Sequence, residues 1–199
     1  MHLSMASNEQ RTARTRAALI KAARAEFAAN GYADAATTAI VARAGATRGA
    51  MYHHFKDKLA LFDAVVEAED ARLAALIDSE TVDMPDAYKS LMHGIGIYLD
   101  NATSPATRRI LMLDGPSALG WKRWREIQSH NSLRTLREGL QAAQTQGTLN
   151  KKLSVTVAAS LFAAALDEAV HVIAEAKNRK AARSDAINAA EAMLEGMRA

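Results

Sequence analysis

Between positions 47 and 58 the chain sets out Thr47, Arg48, Gly49, Tyr52, His53, His54 and Lys58. No nucleophile stands with a general base in this set. It is a set of donors and cations. Arginine can fork onto the edge of a guanine in the major groove, and threonine can meet a thymine methyl or a phosphate. Tyr52 and His54 can donate to phosphate oxygens, which fixes register rather than reading sequence. Gly49 lets the backbone come close to a duplex. Lys58 adds a cation at the start of a helix, where the dipole also favours an anion. Thr37 and Thr38 offer two further hydroxyls upstream.

Other chemistries are poorly served. With no cysteine there is no thiolate nucleophile, disulfide framework, zinc finger or cysteine-ligated cluster, and no thiol redox sensor. No strand–turn–helix elbow surrounds any serine, and the acids lack metal-loop spacing. His53 and His54 are adjacent, so on a helix they point about 100° apart and share a metal poorly. We therefore expect no enzyme, no metal and no cofactor.

The elements that must carry these residues are short helices. Ile40, Val41 and Ala44 precede Gly45, and Thr47 opens a further helical run to about His54. Two short helices across Gly45-Ala46-Thr47 are the sequence form of a helix-turn-helix. Met51 and Phe55 lie four apart and face a core. Arg48 and Tyr52 share another face, as do Gly49 and His53. The first of the two helices is expected to be capped by Thr37 or Thr38. Charge agrees with this placement. Residues 1–60 carry nine Lys/Arg against four Asp/Glu, net +5, and the other 139 carry sixteen against eighteen, net −2, which together give the chain its +3. A basic end on a near-neutral body suits an anionic polymer, although an ordinary solvated surface gives the same count.

The rest of the chain reads as all-α, about nine helices in total. Alanine is abundant and there are three prolines, a composition that favours helix over strand. A helix with Leu61, Phe62, Val65, Val66, Leu73, Leu76 and Ile77 on its apolar side follows the helix-turn-helix. Beyond it we expect helices near 86–101, 104–114, 121–146, 154–176 and 180–198, separated by glycine, proline and asparagine. Trp121 and Trp124 lie three apart on one face. They line a pocket with Leu91, Ile95, Tyr98, Leu113 and Phe162, with Arg125 and His171 as its polar members, or else all belong to plain core. Stripes through Leu161, Ala165 and Ala169 and through Ile187, Ala190 and Leu194 suit a symmetric four-helix interface or packing within one chain. No stretch of about eighteen apolar residues is uninterrupted: Ser160, Asp167, Glu168 and His171 break Val155 to Ala174. Met1 to Arg16 lacks the apolar run of a signal peptide. The expectation is a cytoplasmic protein with no membrane partner.

A more specific signal is the ordered string Ala22-Ala23, Phe27, Asn30-Gly31-Tyr32, Ile40-Val41, Ala44-Gly45, Thr47 to Phe55, Lys56-Asp57-Lys58 and Leu61-Phe62. Ile20 to Phe62 resembles the DNA-binding domain of the tetracycline-repressor (TetR) family of bacterial regulators. The run Ile110 to Trp121, with Lys122 to Glu126, is similar to one subgroup of that family. The sequence departs from the family pattern at Ala35, Ala36, Thr37 and Ala39. The resemblance implies a DNA-binding domain over 10–60, a connecting helix over 61–80 and a ligand-binding and dimerisation domain over 81–199. It further implies a homodimeric repressor on a pseudo-palindromic double-stranded operator, released by a small-molecule effector. A helical interaction protein with a degenerate helix-turn-helix is the alternative.

Overall fold

The structure, a computed structural model, describes residues 2–199, with side chains from Glu9 onward. Helix α1 (His2–Asp34) runs long, with no proline anywhere in it and no glycine before Gly31 to stop it. It bends at Gly31, whose φ of 77° and ψ of 168° break the helical run; this left-handed φ suits glycine, which has no Cβ to clash. Helices α2 (Thr37–Arg43) and α3 (Arg48–His54) follow. The expected cap on Thr37 or Thr38 is corrected: Ala36 occupies the cap position, with no side-chain cap bond, and Thr37 is already helical. Thr47 does cap α3, its hydroxyl accepting the Ala50 N–H at 3.1 Å.

Helix α4 (Lys58–Thr81) is followed by α5 (Ala87–Ala102) and α6 (Pro105–Arg108). A π-helical stretch (Arg109–Asp114) and α7 (Gly115–Leu119) come next. The expected helix 104–114 therefore changes winding midway. The expected helix 121–146 is two, α8 (Trp121–His130) and α9 (Ser132–Thr145), because Asn131 leaves helical geometry at φ −123°, ψ −102°. The chain ends with α10 (Val155–Glu175) and α11 (Arg179–Glu195). No strand occurs among the described residues.

Two compact units result. The first holds residues 1–69 and 109–124, the second 70–108 and 125–199. In the first, Leu19, Ala23 and Phe27 of α1 pack with Ile40, Met51, Phe55 and Phe62, all buried. Phe27 meets Phe62 edge-on at 4.9 Å and Tyr32 lies 4.8 Å from Phe62. Such aromatic pairs add about 0.5–1.5 kcal/mol beyond area burial. Buried Glu69 receives two hydrogen bonds from Arg24, at 2.5 and 2.9 Å, and Arg123 forks onto Asp63 at 2.7 and 2.8 Å.

In the second unit α10 is the central helix. By length and composition it could cross a membrane, yet Ala159, Phe162, Leu166, Val170 and Ile173 are buried against α5, α9 and α11. The stripe expected to meet a second copy, Leu161, Ala165 and Ala169, lies outside this buried face, Leu161 being exposed and the two alanines half-buried. Ala190 and Leu194 are buried, so α11 spends them within the chain.

Candidate nucleic-acid interface and cavity

The turn between α2 and α3 closes through backbone bonds. Ala44 N–H donates to Ile40 O at 2.9 Å, Gly45 N–H to Ala42 O at 3.2 Å and Ala46 N–H to Val41 O at 3.0 Å. Gly45 supplies the positive φ, 61°, that lets the chain reverse. Glu26 of α1, buried, accepts from Asn30 Nδ2 at 2.8 Å and lies 3.9 Å from the Arg43 guanidinium, tying α2 to α1.

Burial then sorts α3. Met51 and, just beyond it, Phe55 are buried, while Thr47, Arg48, Gly49, Tyr52 and His53 are exposed and His54 is half-buried. Arg48 lies over the Tyr52 ring, 5.6 Å from its centroid. That face offers an arginine fork, a phenol and an imidazole together. Thr38 is exposed and Thr37 half-buried at the start of α2. Lys58 is engaged differently from the sequence expectation: its ammonium donates to Ala33 O at 2.9 Å and sits 5.0 Å from the Tyr32 ring centroid. Asp57, not Lys58, caps α4, accepting Ala60 N–H at 2.7 Å. Sequence reasoning missed Arg14 and Thr15, which line a shallow groove with Ala44 to Thr47 and Ala50. Their helical phase with Ala18, on the face beside the turn, was the available signal.

The second unit contains a cavity of about 230 Å³. Its apolar walls come from Ile77 of α4, Leu91 and Ile95 of α5, Leu136 of α9 and Leu166 of α10. Gly139 allows α9 to approach α5, since a Cβ there would lie 3.0 Å from Leu91 Cδ1. Polar groups gather on one side. Tyr98 donates to Asp167 Oδ1 at 2.5 Å, Gln128 also hydrogen-bonds Asp167, and Arg125 donates to Gln128 Oε1 at 2.8 Å. Burial, with the Asp167 carboxylate beside it, holds the Tyr98 hydroxyl well above the usual tyrosine range. Burial also raises the Asp167 carboxyl, against the opposing pull of Tyr98 and Arg125.

Of the residues expected to line a pocket, Leu91, Ile95 and Tyr98 do so. The others are corrected. Leu113 is exposed, and so is Trp121, at 67%. Trp124 is buried as a structural residue of the first unit, its indole donating to Leu111 O at 2.7 Å. Phe162 is core, and His171 instead meets Arg108 at 3.3 Å. Arg125 does not line the cavity but bonds Gln128, which does. The tryptophans failed the expectation because both belong to the first unit, and only Gln128 of α8 lines the cavity. Missed entirely was Asp167, whose signal was a carboxylate in the middle of an otherwise apolar helix. Among the described residues, no group of three His, Asp or Glu is placed to hold a metal ion.

A capped helix-turn-helix with an exposed arginine face, in one chain with a helical unit that holds a polar-sided cavity, is the architecture of a DNA-binding regulator. Comparison with known proteins agrees. Residues 19–65 match the family model for bacterial regulatory proteins of the tetR family, and residues 88–197 match the tetracyclin repressor-like C-terminal domain. The HTH-type transcriptional regulator SrpR of Pseudomonas putida is 30% identical over 74% of this chain and 70% of its own length. A TetR-family transcriptional regulator of Pectobacterium atrosepticum has a solved structure with a TM-score of 0.79 and 31% identity, covering 95% of this chain and 96% of its own. FadR of Bacillus subtilis, solved with stearoyl-CoA, shares the fold at a TM-score of 0.76 and 19% identity, over 91% of this chain and 98% of its own. The chain belongs to the TetR family of transcriptional regulators, proteins that bind DNA through a helix-turn-helix and that typically respond to ligands.

Proposed function

We propose that this protein is a cytoplasmic, non-enzymatic homodimeric repressor that leaves a pseudo-palindromic operator when a small molecule fills the cavity of its second unit. The observation that carries the reading is the sorting of α3: Met51 is buried, while Arg48 and Tyr52 are exposed together, the guanidinium over the ring. In this reading Arg48 contacts a base edge. Thr37, Thr38, Thr47, Gly49, Tyr52, His53 and His54 fix α2 and α3 on the phosphates. Lys58 acts mainly by holding the Tyr32–Ala33 backbone. The DNA-binding domain is 10–60, α4 is the connection, and 81–199 senses and dimerises.

The dimer surface we assign lies on α10 and keeps Leu161 of the stripe expected from sequence. Val157, Leu161 and Val172 are exposed at 57%, 67% and 53%, a row that buries none of the chain's own core. Ala165, Ala169 and Ile187 flank it, half-buried. A twofold dimer presents two recognition helices to major grooves roughly 34–36 Å apart, and effector binding shifts the population away from that spacing. The test uses Ala163→Phe, which fills the cavity from α10. Operator binding should persist while release by any effector found in a ligand screen is lost. Unchanged release would remove the cavity from the mechanism.

A further inference from the structure

The cavity has an ionic character that points to the class of molecule it takes. The titratable side chains in its lining are Asp78, Tyr98, Glu138 and Asp167; no lysine, arginine or histidine lines it among the described residues. The nearby cations, outside the lining, pair with these acids or act on them. Arg134 lies 2.6 Å from both Asp78 and Glu138. Arg125 acts on Asp167 and Tyr98 and bonds Gln128, and His171 faces Asp167 from its own helix. Buried Asp70 adds a further carboxylate acting on Tyr98. Three carboxylates thus line the cavity and Asp70 acts on it from nearby, against two guanidiniums and one imidazole outside the lining.

An anionic ligand would enter apolar walls with no base in the lining to pair with and with carboxylates nearby, an arrangement penalised more heavily as the local dielectric falls. A cation meets the opposite field. Asp167 is the group placed to receive it. A carboxylate offers about four lone-pair sites, and Tyr98 and Gln128 supply the two side-chain hydrogen bonds identified to it. The volume, about 230 Å³, is below the roughly 300–1,000 Å³ of pockets for drug-sized molecules, so the hydrocarbon body is limited to a single ring or a short chain.

We propose that the cavity takes a small lipophilic amine, its ammonium against Asp167 and Tyr98 and its hydrocarbon body against Leu91, Ile95, Leu136 and Leu166. This rests on the reading of the cavity as the effector site. The test titrates the full-length protein by calorimetry with three probes of one skeleton: phenethylamine, phenethyl alcohol and phenylacetate. The amine should bind best, by about tenfold over the alcohol, with the carboxylate weakest. Asp167→Asn should abolish the amine's advantage and leave the alcohol within about threefold. Should that variant not fold, the wild-type order of the three probes decides. Phenylacetate binding as tightly as the amine, with Ala163→Phe abolishing both, overturns the amine class and keeps the effector site. Equal affinity for amine and alcohol overturns it as well. Binding by none of the three, or binding indifferent to Ala163→Phe, overturns the class and the effector reading together.

Discussion

Asp114→Ala is the sharpest test of how the first unit holds its DNA-facing helices. Beyond the bend at Gly31, the Tyr32 N–H has left the helical ladder and donates to Asp114 Oδ2 at 2.8 Å. Two neighbours brace the same bend: Arg109 donates to Ala29 O at 2.8 Å and Lys58 to Ala33 O at 2.9 Å. Removing the carboxylate leaves a half-buried donor unmet, and Asp114 makes no cap bond whose loss would confuse the result. A hydrogen bond to a charged group contributes about 1.5–3 kcal/mol. For a chain of this size that is a fall in Tm of roughly 3–12 °C. Tryptophan fluorescence is the assay, because both tryptophans, Trp121 and Trp124, lie in the first unit. Asp114→Asn keeps an acceptor oxygen and should recover more than half of the loss. A shift below about 1 °C for the alanine variant, or equal damage from both variants, would refute the argument that this bond holds the bend.

Three further outcomes are expected. Arg48→Ala should weaken operator binding by about 1–3 kcal/mol and relax preference at one base position, read by binding-site selection; equal loss on all sequences would reassign Arg48 to the phosphates. Leu161→Glu, on the exposed row of α10, should yield monomers in light scattering with the fold intact by circular dichroism, and a persisting dimer would move the interface elsewhere. The Asp167 carboxyl is raised above its ordinary 3.8 by burial, so the native state holds that proton more tightly than the unfolded chain. Its stabilising share is complete below pH 3.8 and is lost as pH rises through the raised native value. Asp167→Asn should remove this fall from urea midpoints measured across that window, and identical pH profiles would contradict the assignment.

The sequence alone determined the helix-turn-helix. Its signals are local: Thr47 caps α3 within three residues, Gly45 takes a positive φ, and the apolar Met51 and Phe55 turn to the core while Arg48 and Tyr52, four apart, share an exposed face. Helical period and turn chemistry settle such features without reference to the rest of the chain. The expected Thr37 or Thr38 cap failed by one or two residues for the same reason in reverse. Ala36 carries no side-chain oxygen to cap with, and Ile40 and Ala35 beside the boundary are packed into the core. Tertiary structure decided the cavity and the free face of α10. Trp121, Trp124, Phe162 and Asp167 all sit at helical spacing, and periodicity cannot say which neighbour covers a given face. Only tertiary packing commits Trp124 to the first unit, its indole on Leu111 O, and forms the cavity from α4, α5, α8, α9 and α10 of the second. The same packing brings Tyr98 to Asp167, sixty-nine residues apart in the chain, and turns Leu161 outward while Leu166 and Leu194 turn in.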